Sequence, residues 1–145
     1  MDQNQYKELV HQTTPKSPIL KDCIKAFLFG GGICCFGECL KTLYKMVGLN
    51  EDEVSLAVAG TLIAITAILT GANVFDKIAK HAGAGTAVPI TGFANSVVSP
   101  AIEFKAEGLV LGTGAKMFVI AGPVIVYGTL ASVVYGVIYW ITTFI

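Results

Sequence analysis

The sequence contains no arginine, and charged residues of any kind are few. Asp, Glu and Lys make up 14% of the 145 residues, whereas a soluble domain carries about 25% charged residues. Proteins that bind nucleic acids rely heavily on arginine to contact phosphates and base edges, so we expect no nucleic-acid partner. A hydrophobic fraction of 54% and a mean hydropathy of +0.69 indicate an integral membrane protein whose main surroundings are the lipid bilayer.

Signatures of enzymes and metal sites are also missing. The sequence has no P-loop, no HExxH motif and no G-x-S-x-G motif, so we expect neither catalysis nor a cofactor. The four cysteines, Cys23, Cys34, Cys35 and Cys39, fall in one apolar stretch that contains no histidine. We therefore expect them to behave as small apolar side chains and not to bind a metal ion.

The first 22 residues are polar and include Pro15 and Pro18, which disfavour a continuous helix. This stretch lacks the apolar core and cleavage site of a signal peptide, so we expect residues 1–22 to remain as a polar leader. Four lysines precede the first long uncharged run, namely Lys7, Lys16, Lys21 and Lys25. By the positive-inside rule these lysines predict a cytosolic N-terminus.

Residues 23–145 are predicted to form one all-α, polytopic membrane domain with about four membrane segments. The segments cover about 23–47, 54–75, 82–102 and 109–141. The second segment has 22 uncharged residues and is the clearest transmembrane helix. The last segment is long enough for one crossing, with a kink expected at Pro123.

The third segment, 82–102, is uncharged but contains five residues that break helices: Gly83, Gly85, Pro89, Gly92 and Pro100. Irregular backbone at membrane depth is tolerated only where protein or a water-filled cavity satisfies its N–H and C=O groups. We therefore predict a broken or re-entrant helix that lines an interior. A re-entrant helix would leave the C-terminus outside and a crossing would return it to the cytosol; the sequence leaves both open.

Five polar residues are candidates for lining a pore or contacting a solute: Glu38, Thr86, Thr91, Asn95 and Ser96. The ends of broken helices present unpaired backbone groups, and neutral side chains beside them bind weakly enough for a solute to leave. The alternative is that the four residues of the third segment only satisfy the broken backbone. For Glu38, the alternative is an ion pair with Lys41 near the headgroups.

Small residues recur at spacings of four in the last segment. Gly108 and Gly112 form a GxxxG pair, and Gly128, Ser132 and Gly136 continue the pattern further along. Such patterns let helix backbones approach closely, so these five residues are candidates for helix packing inside a complex.

The run GANVFDKIAKHAGAGTAVPITGFANSVVSPAIEFKAEGLVLG from Gly71 to Gly112, with KAFLFGGGICCFGE from Lys25 to Glu38, closely resembles the stage V sporulation protein AC family of endospore-forming bacteria. The resemblance extends over nearly the whole chain, although paralogous AE proteins share much of the AGAGTAVPITGFANS core. It implies a spore inner-membrane protein that acts with AD and AE proteins. It also implies movement of dipicolinic acid with calcium into the developing spore and out at germination, and a mechanosensitive channel activity.

The composition is compatible with such a solute, because the chelate of dipicolinate with one calcium ion is neutral and a strongly charged pore would trap one partner ion. Three or four helices cannot enclose a wide lumen, so we expect a homo-oligomer or hetero-oligomer. Two alternatives stay open. One is a structural membrane subunit that docks a soluble partner, and the other is an ion-coupled transporter with Glu38 as the coupling carboxylate.

Overall fold

The computed structural model describes residues 18–144, and this part of the chain is helical with no strand. In chain order, the elements are α1 (Ile19–Met46), α2 (Glu51–Gly71), α3 (Phe75–Ala82), a 3₁₀ turn (Gly83–Thr86), α4 (Pro89–Glu103), a second 3₁₀ turn (Phe104–Glu107), a π-helical turn (Leu109–Gly114) and α5 (Ala115–Phe144). Three stretches are long and apolar enough to cross a membrane: α1, α2 and Leu109–Thr143. The predicted all-α, polytopic membrane fold is therefore confirmed.

Helix α1 begins directly after Pro18, whose missing N–H costs nothing at a helix start. The backbone N–H of Asp22 donates to the Pro18 carbonyl at 3.0 Å, and the Asp22 carboxylate lies in the first turn, where the helix dipole favours a negative charge. The helix therefore starts at Ile19, four residues before the predicted membrane segment. Its 28 residues extend about 42 Å, which exceeds the hydrocarbon core of a bilayer.

A tight connection turns the chain from α1 into α2. Gly48 adopts a positive φ of 92°, and Asn50 caps α2 in a reciprocal capping box with Glu53. The Lys45 ammonium lies 2.6 Å from a Glu51 carboxylate oxygen across this connection. The acidic run after Gly48 thus starts α2 and closes the antiparallel α1–α2 pair.

Beyond the connection, a polar contact and an apolar contact join α1 to α2. The hydroxyl of Tyr44, near the end of α1, lies 2.7 Å from the hydroxyl of Thr61, in the middle of α2. Further along, Leu62 of α2 is buried and approaches Gly37 of α1. This register places the first turns of α1 at the same end of the bundle as the last turn of α2.

Residues 75–103, here called the re-entrant hairpin, enter the bundle along α1. At the 3₁₀ turn, Gly85 lies against the backbone of Ala26, and Val88 lies near Gly30 one helical turn deeper along α1. A Cβ atom on Gly85 would come within 2.6 Å of the Ala26 carbonyl oxygen, so only glycine permits this approach. Gly83, with φ of 56°, makes the turn that ends α3.

Helix α4 then leads the chain back to the end where it entered. Asn95 contacts Thr70 of α2, and Ile102 reaches Gly71 at the end of α2, so α4 runs parallel to α2. The 15 residues of α4 extend about 22 Å, which is too short to cross the hydrocarbon core. The hairpin thus enters and leaves at the same end of the bundle, which is the arrangement of a re-entrant segment.

Helix α5 packs on α4 in its first half and is exposed in its second half. The Thr113 hydroxyl lies 3.5 Å from the Ala101 carbonyl, and the Lys116 ammonium lies 4.5 Å from the centre of the Phe104 ring. Ala121 is fully buried, whereas every residue in 123–143 is exposed. Helix α5 thus extends beyond its neighbour α4 toward the opposite end of the bundle.

Candidate functional site

An apolar cavity of about 460 Å³ lies between α1, α2 and the re-entrant hairpin. Apolar residues line it, with three polar exceptions that are all buried threonines: Thr66 of α2, Thr86 of the 3₁₀ turn and Thr91 of α4. We call it the threonine cavity. No charged side chain lines it, so its wall offers only apolar surface and neutral hydroxyls.

The hairpin hydroxyls in the threonine cavity bind their own backbone. Thr86 donates to the Gly83 carbonyl at 3.1 Å, and Thr91 donates toward the Val88 carbonyl at 3.4 Å. Both carbonyls lie next to the break in the helical pattern, and the Val88 carbonyl also accepts from the backbone N–H of Gly92 at 2.8 Å, so the hydroxyls add second hydrogen bonds beside the break. Because each hydroxyl has one proton, the oxygen can offer a solute only its acceptor lone pairs.

A polar contact joins α2 to α4 beside the cavity. The Thr70 hydroxyl lies 2.9 Å from the Asn95 amide and 2.8 Å from the Thr66 carbonyl. One hydroxyl proton cannot serve both, but the two ends of an Asn amide are interchangeable in assignment. With its NH₂ group toward Thr70, Asn95 donates to the hydroxyl while the hydroxyl donates to Thr66, and all three groups are satisfied.

Ser96 and Glu38, the remaining pore candidates, lie outside the threonine cavity. The Ser96 hydroxyl donates to the Phe93 carbonyl at 2.8 Å, within α4. The Glu38 carboxylate lies 3.6 Å from the Lys41 ammonium, and its side chain is 70% exposed. Glu38 lines a separate groove along α1, together with Cys35 and Cys39. The five candidates are therefore divided among four places: the threonine cavity, the α2–α4 contact, the part of α4 outside the cavity, and the groove along α1.

The small residues of the last segment also divide into two groups. Gly108 has φ of 98° between two turns, so Gly108 and Gly112 do not form one face of a regular helix. Gly112 packs closely within the chain, against the Phe104 carbonyl oxygen. Gly128 and Gly136 have open space beside them, and Ser132 between them is exposed, so this second group lies on the free surface of α5.

Sequence reasoning did not single out Thr66 and Thr70, which contribute to the cavity wall and to the α2–α4 contact. A usable signal was present, because they are four residues apart in an otherwise uncharged membrane helix. That spacing places both on one helix face, which predicts a polar contact with a neighbouring element.

The cysteines are free thiols exposed on α1. Among residues 18–144, no group of three or more His, Cys, Asp or Glu side chains is placed to hold a metal ion.

Three helices long and apolar enough to cross a membrane, with a hairpin of interrupted helical pattern packed among them, define a polytopic α-helical membrane protein. Residues 22–138 match the SpoVAC/SpoVAEB sporulation membrane protein family, and the chain belongs to that family. Over 134 aligned residues it is 48% identical to the stage V sporulation protein AC of Bacillus subtilis (strain 168). The aligned region covers 92% of this chain and 89% of that relative. No solved structure matches the chain.

Proposed function

We propose that the chain is a subunit of a spore inner-membrane complex that conducts dipicolinic acid with calcium, into the developing spore and out during germination. Its membership of a sporulation membrane protein family is the basis for this proposal. The structural observation that supports conduction of a solute is the re-entrant hairpin. Interrupted helices at membrane depth are typical of solute sites, because their backbone is stable only where protein or a cavity covers it.

The chemistry of the threonine cavity suits a neutral solute better than a free dianion. Its wall has no cation, and the hydroxyls of Thr86 and Thr91 direct their protons to backbone carbonyls. A carboxylate would find no cation and, beyond the Thr66 hydroxyl, no further side-chain donor there, so most of its lost hydration would not be replaced. A calcium chelate carries no net charge and gains weak contacts from acceptor oxygens, which allows it to leave again.

One chain supplies only part of a conducting path, so we infer a homo-oligomer or a complex with the AD and AE proteins of the same system. Three crossing helices and one hairpin leave no wide lumen. The second half of α5 is exposed and carries Gly128, Ser132 and Gly136 along one side. We propose this stripe as the contact with a neighbouring subunit, since small residues allow close helix approach.

We propose that the N-terminus lies in the cytosol, which is the spore core after sporulation, and that the C-terminus lies outside. The distribution of lysines supports this orientation. Of the eight lysines in residues 18–144, six lie near the end of the bundle where the hairpin enters, and only Lys41 and Lys45 lie near the other end. An excess of lysine on the cytosolic side is the expected pattern. Membrane tension is a proposed stimulus, because the hairpin contacts both α1 and α2, which tension would draw apart.

A structural subunit that docks a soluble partner is the second candidate. The observation in its favour is that Thr86, Thr91 and Ser96 each bind backbone carbonyls within the hairpin. An ion-coupled transporter with Glu38 as the coupling carboxylate gains no comparable support, because Glu38 is exposed, paired with Lys41 and separate from the threonine cavity.

Spores carrying Thr91→Leu distinguish conduction from a purely structural role. The leucine extends into the threonine cavity without adding charge, so we expect normal complex assembly with reduced dipicolinic acid content and slower release. Ser96→Leu is the matched control, because Ser96 lies on the same helix but outside the cavity wall. If the complex assembles and both variants accumulate and release dipicolinic acid normally, the cavity is not on the path and the structural candidate is favoured.

A further inference from the structure

A second pocket lies where the re-entrant hairpin meets the first turns of α1. Its volume is about 290 Å³, and it is formed by α1 on one side and by the junction of α3 with the 3₁₀ turn on the other. The contact of Gly85 with the Ala26 backbone fixes the hairpin beside α1 here. No residue lines both this pocket and the threonine cavity, so the two are separate sites.

This pocket, here called the basic pocket, is lined by Lys25, Lys80 and His81, with Asp22 as its single carboxylate. Across residues 18–144, the side-chain ion pairs lie at the opposite end of α1. Neither pocket lysine is therefore within 4.0 Å of a described carboxylate. Two ammonium groups against one carboxylate leave an excess of positive charge in this pocket.

His81 also lines the same pocket. Its Nδ1 atom lies 2.9 Å from the Lys77 carbonyl oxygen. A carbonyl can only accept a hydrogen bond, so Nδ1 carries a proton and Nε2 is the ring atom that remains for another partner.

We propose that the basic pocket binds a small oxyanion through its carboxylate or phosphate group. Ammonium groups bind carboxylate and phosphate oxygens through charge-assisted hydrogen bonds, which are stronger than neutral ones. The volume is at the lower limit of ligand pockets and excludes a large ligand. A phosphate could come from solution or from a lipid headgroup, since the pocket lies at the first turns of α1, a helix long enough to cross the membrane. Anion binding in this pocket does not require conduction, so this proposal and the proposed function can be refuted independently of each other.

The test uses the full chain in nanodiscs of phosphatidylcholine, which carries no net charge. Equilibrium dialysis measures the binding of dipicolinate and, separately, of inorganic phosphate. The pocket variant is Lys25→Gln with Lys80→Gln, and the control, Lys77→Gln with Lys105→Gln, removes the same charge outside the pocket. We expect the pocket variant to bind at least about tenfold more weakly than the control. A variant with Lys25→Arg and Lys80→Arg, which keeps the charge, should retain most of the affinity and separates lost charge from lost folding.

A second arm identifies the source of the anion. Chains are purified from membranes that contain phosphatidylglycerol, and the lipid retained per chain is measured by mass spectrometry. Weaker binding of the free anions to the pocket variant alone assigns the pocket to a soluble dicarboxylate or phosphate. Loss of retained phosphatidylglycerol in the pocket variant alone assigns it to a lipid headgroup. If the pocket variant equals the control for free anions and for lipid, the proposal is wrong.

Discussion

The position of the re-entrant hairpin depends on one backbone contact, and Gly85→Ala is the smallest change that tests it. The added Cβ would lie 2.6 Å from the carbonyl oxygen of Ala26 and 3.1 Å from the Cβ atom of Phe29. Real Cβ contacts shorter than 3.0 Å are essentially never observed, and ordinary contact begins at 3.4 Å. The hairpin must therefore move away from α1 by about 0.8 Å, because the main obstacle is backbone and cannot rotate aside.

Overpacking of this kind costs about 1 to 3 kcal/mol, and here the cost is borne by the contact between the 3₁₀ turn and α1. A penalty of that size shifts the equilibrium between docked and open hairpin by about 5- to 150-fold. Hydrogen exchange measures such local opening directly. We expect amides in residues 84–92 to exchange faster in Gly85→Ala by about that factor, while amides in the middle of α2 are unchanged.

Gly60→Ala is the matched control, because an added Cβ on Gly60 meets no atom within 4 Å. It introduces the same methyl group into a helix that spans the membrane, and alanine favours helix more than glycine does. We expect wild-type exchange throughout in this variant. Equal exchange in residues 84–92 for Gly85→Ala and Gly60→Ala would refute the account of how the hairpin docks on α1.

Three further predictions concern other contacts. Asn95→Leu and Thr70→Val should each weaken the α2–α4 contact by about 0.6 to 1.7 kcal/mol. A double-mutant cycle on thermal unfolding in detergent should show that the two effects are strongly non-additive. Full additivity would mean that the two side chains do not interact. Glu38→Gln should leave the pH dependence of dipicolinate flux unchanged in reconstituted vesicles, and a changed pH profile would restore the ion-coupled hypothesis. Gly112→Ala should lower the unfolding temperature because its Cβ would meet the Phe104–Glu107 turn, whereas Gly136→Ala, with open space beside it, should not.

The sequence predicted the helical membrane fold and the interrupted segment because both follow from local chemistry. Long uncharged runs specify spanning helices, and the glycines and prolines of 82–102 exclude a continuous helix. The choice between a crossing and a re-entrant segment could not be made in this way. It depends on the Gly85–Ala26 approach and on the Asn95–Thr70 contact, which join residues far apart in the chain.

The candidate site was predicted in part for the same reason. Thr86 and Thr91 were identified because they lie in the segment that the breakers mark, and both line the threonine cavity. Thr66 was missed because its spacing from Thr70 indicates only that some neighbouring element makes a polar contact there, and which element does so is set when the hairpin packs beside α2. Glu38 was included because charge in an apolar segment is conspicuous, yet its direction around α1 is set by tertiary packing.

The central claim is that the re-entrant hairpin lies on the solute path, and thiol modification during flux tests it most directly. The four native cysteines are replaced by serine, and Thr91→Cys or Ser96→Cys is added to the chain before reconstitution with its partner subunits in vesicles. Dipicolinate efflux is then measured before and after treatment with a methanethiosulfonate reagent. We expect modification to block efflux through Thr91→Cys and to leave Ser96→Cys unaffected. Undiminished efflux through a Thr91→Cys variant that mass spectrometry proves to be modified would contradict the claim.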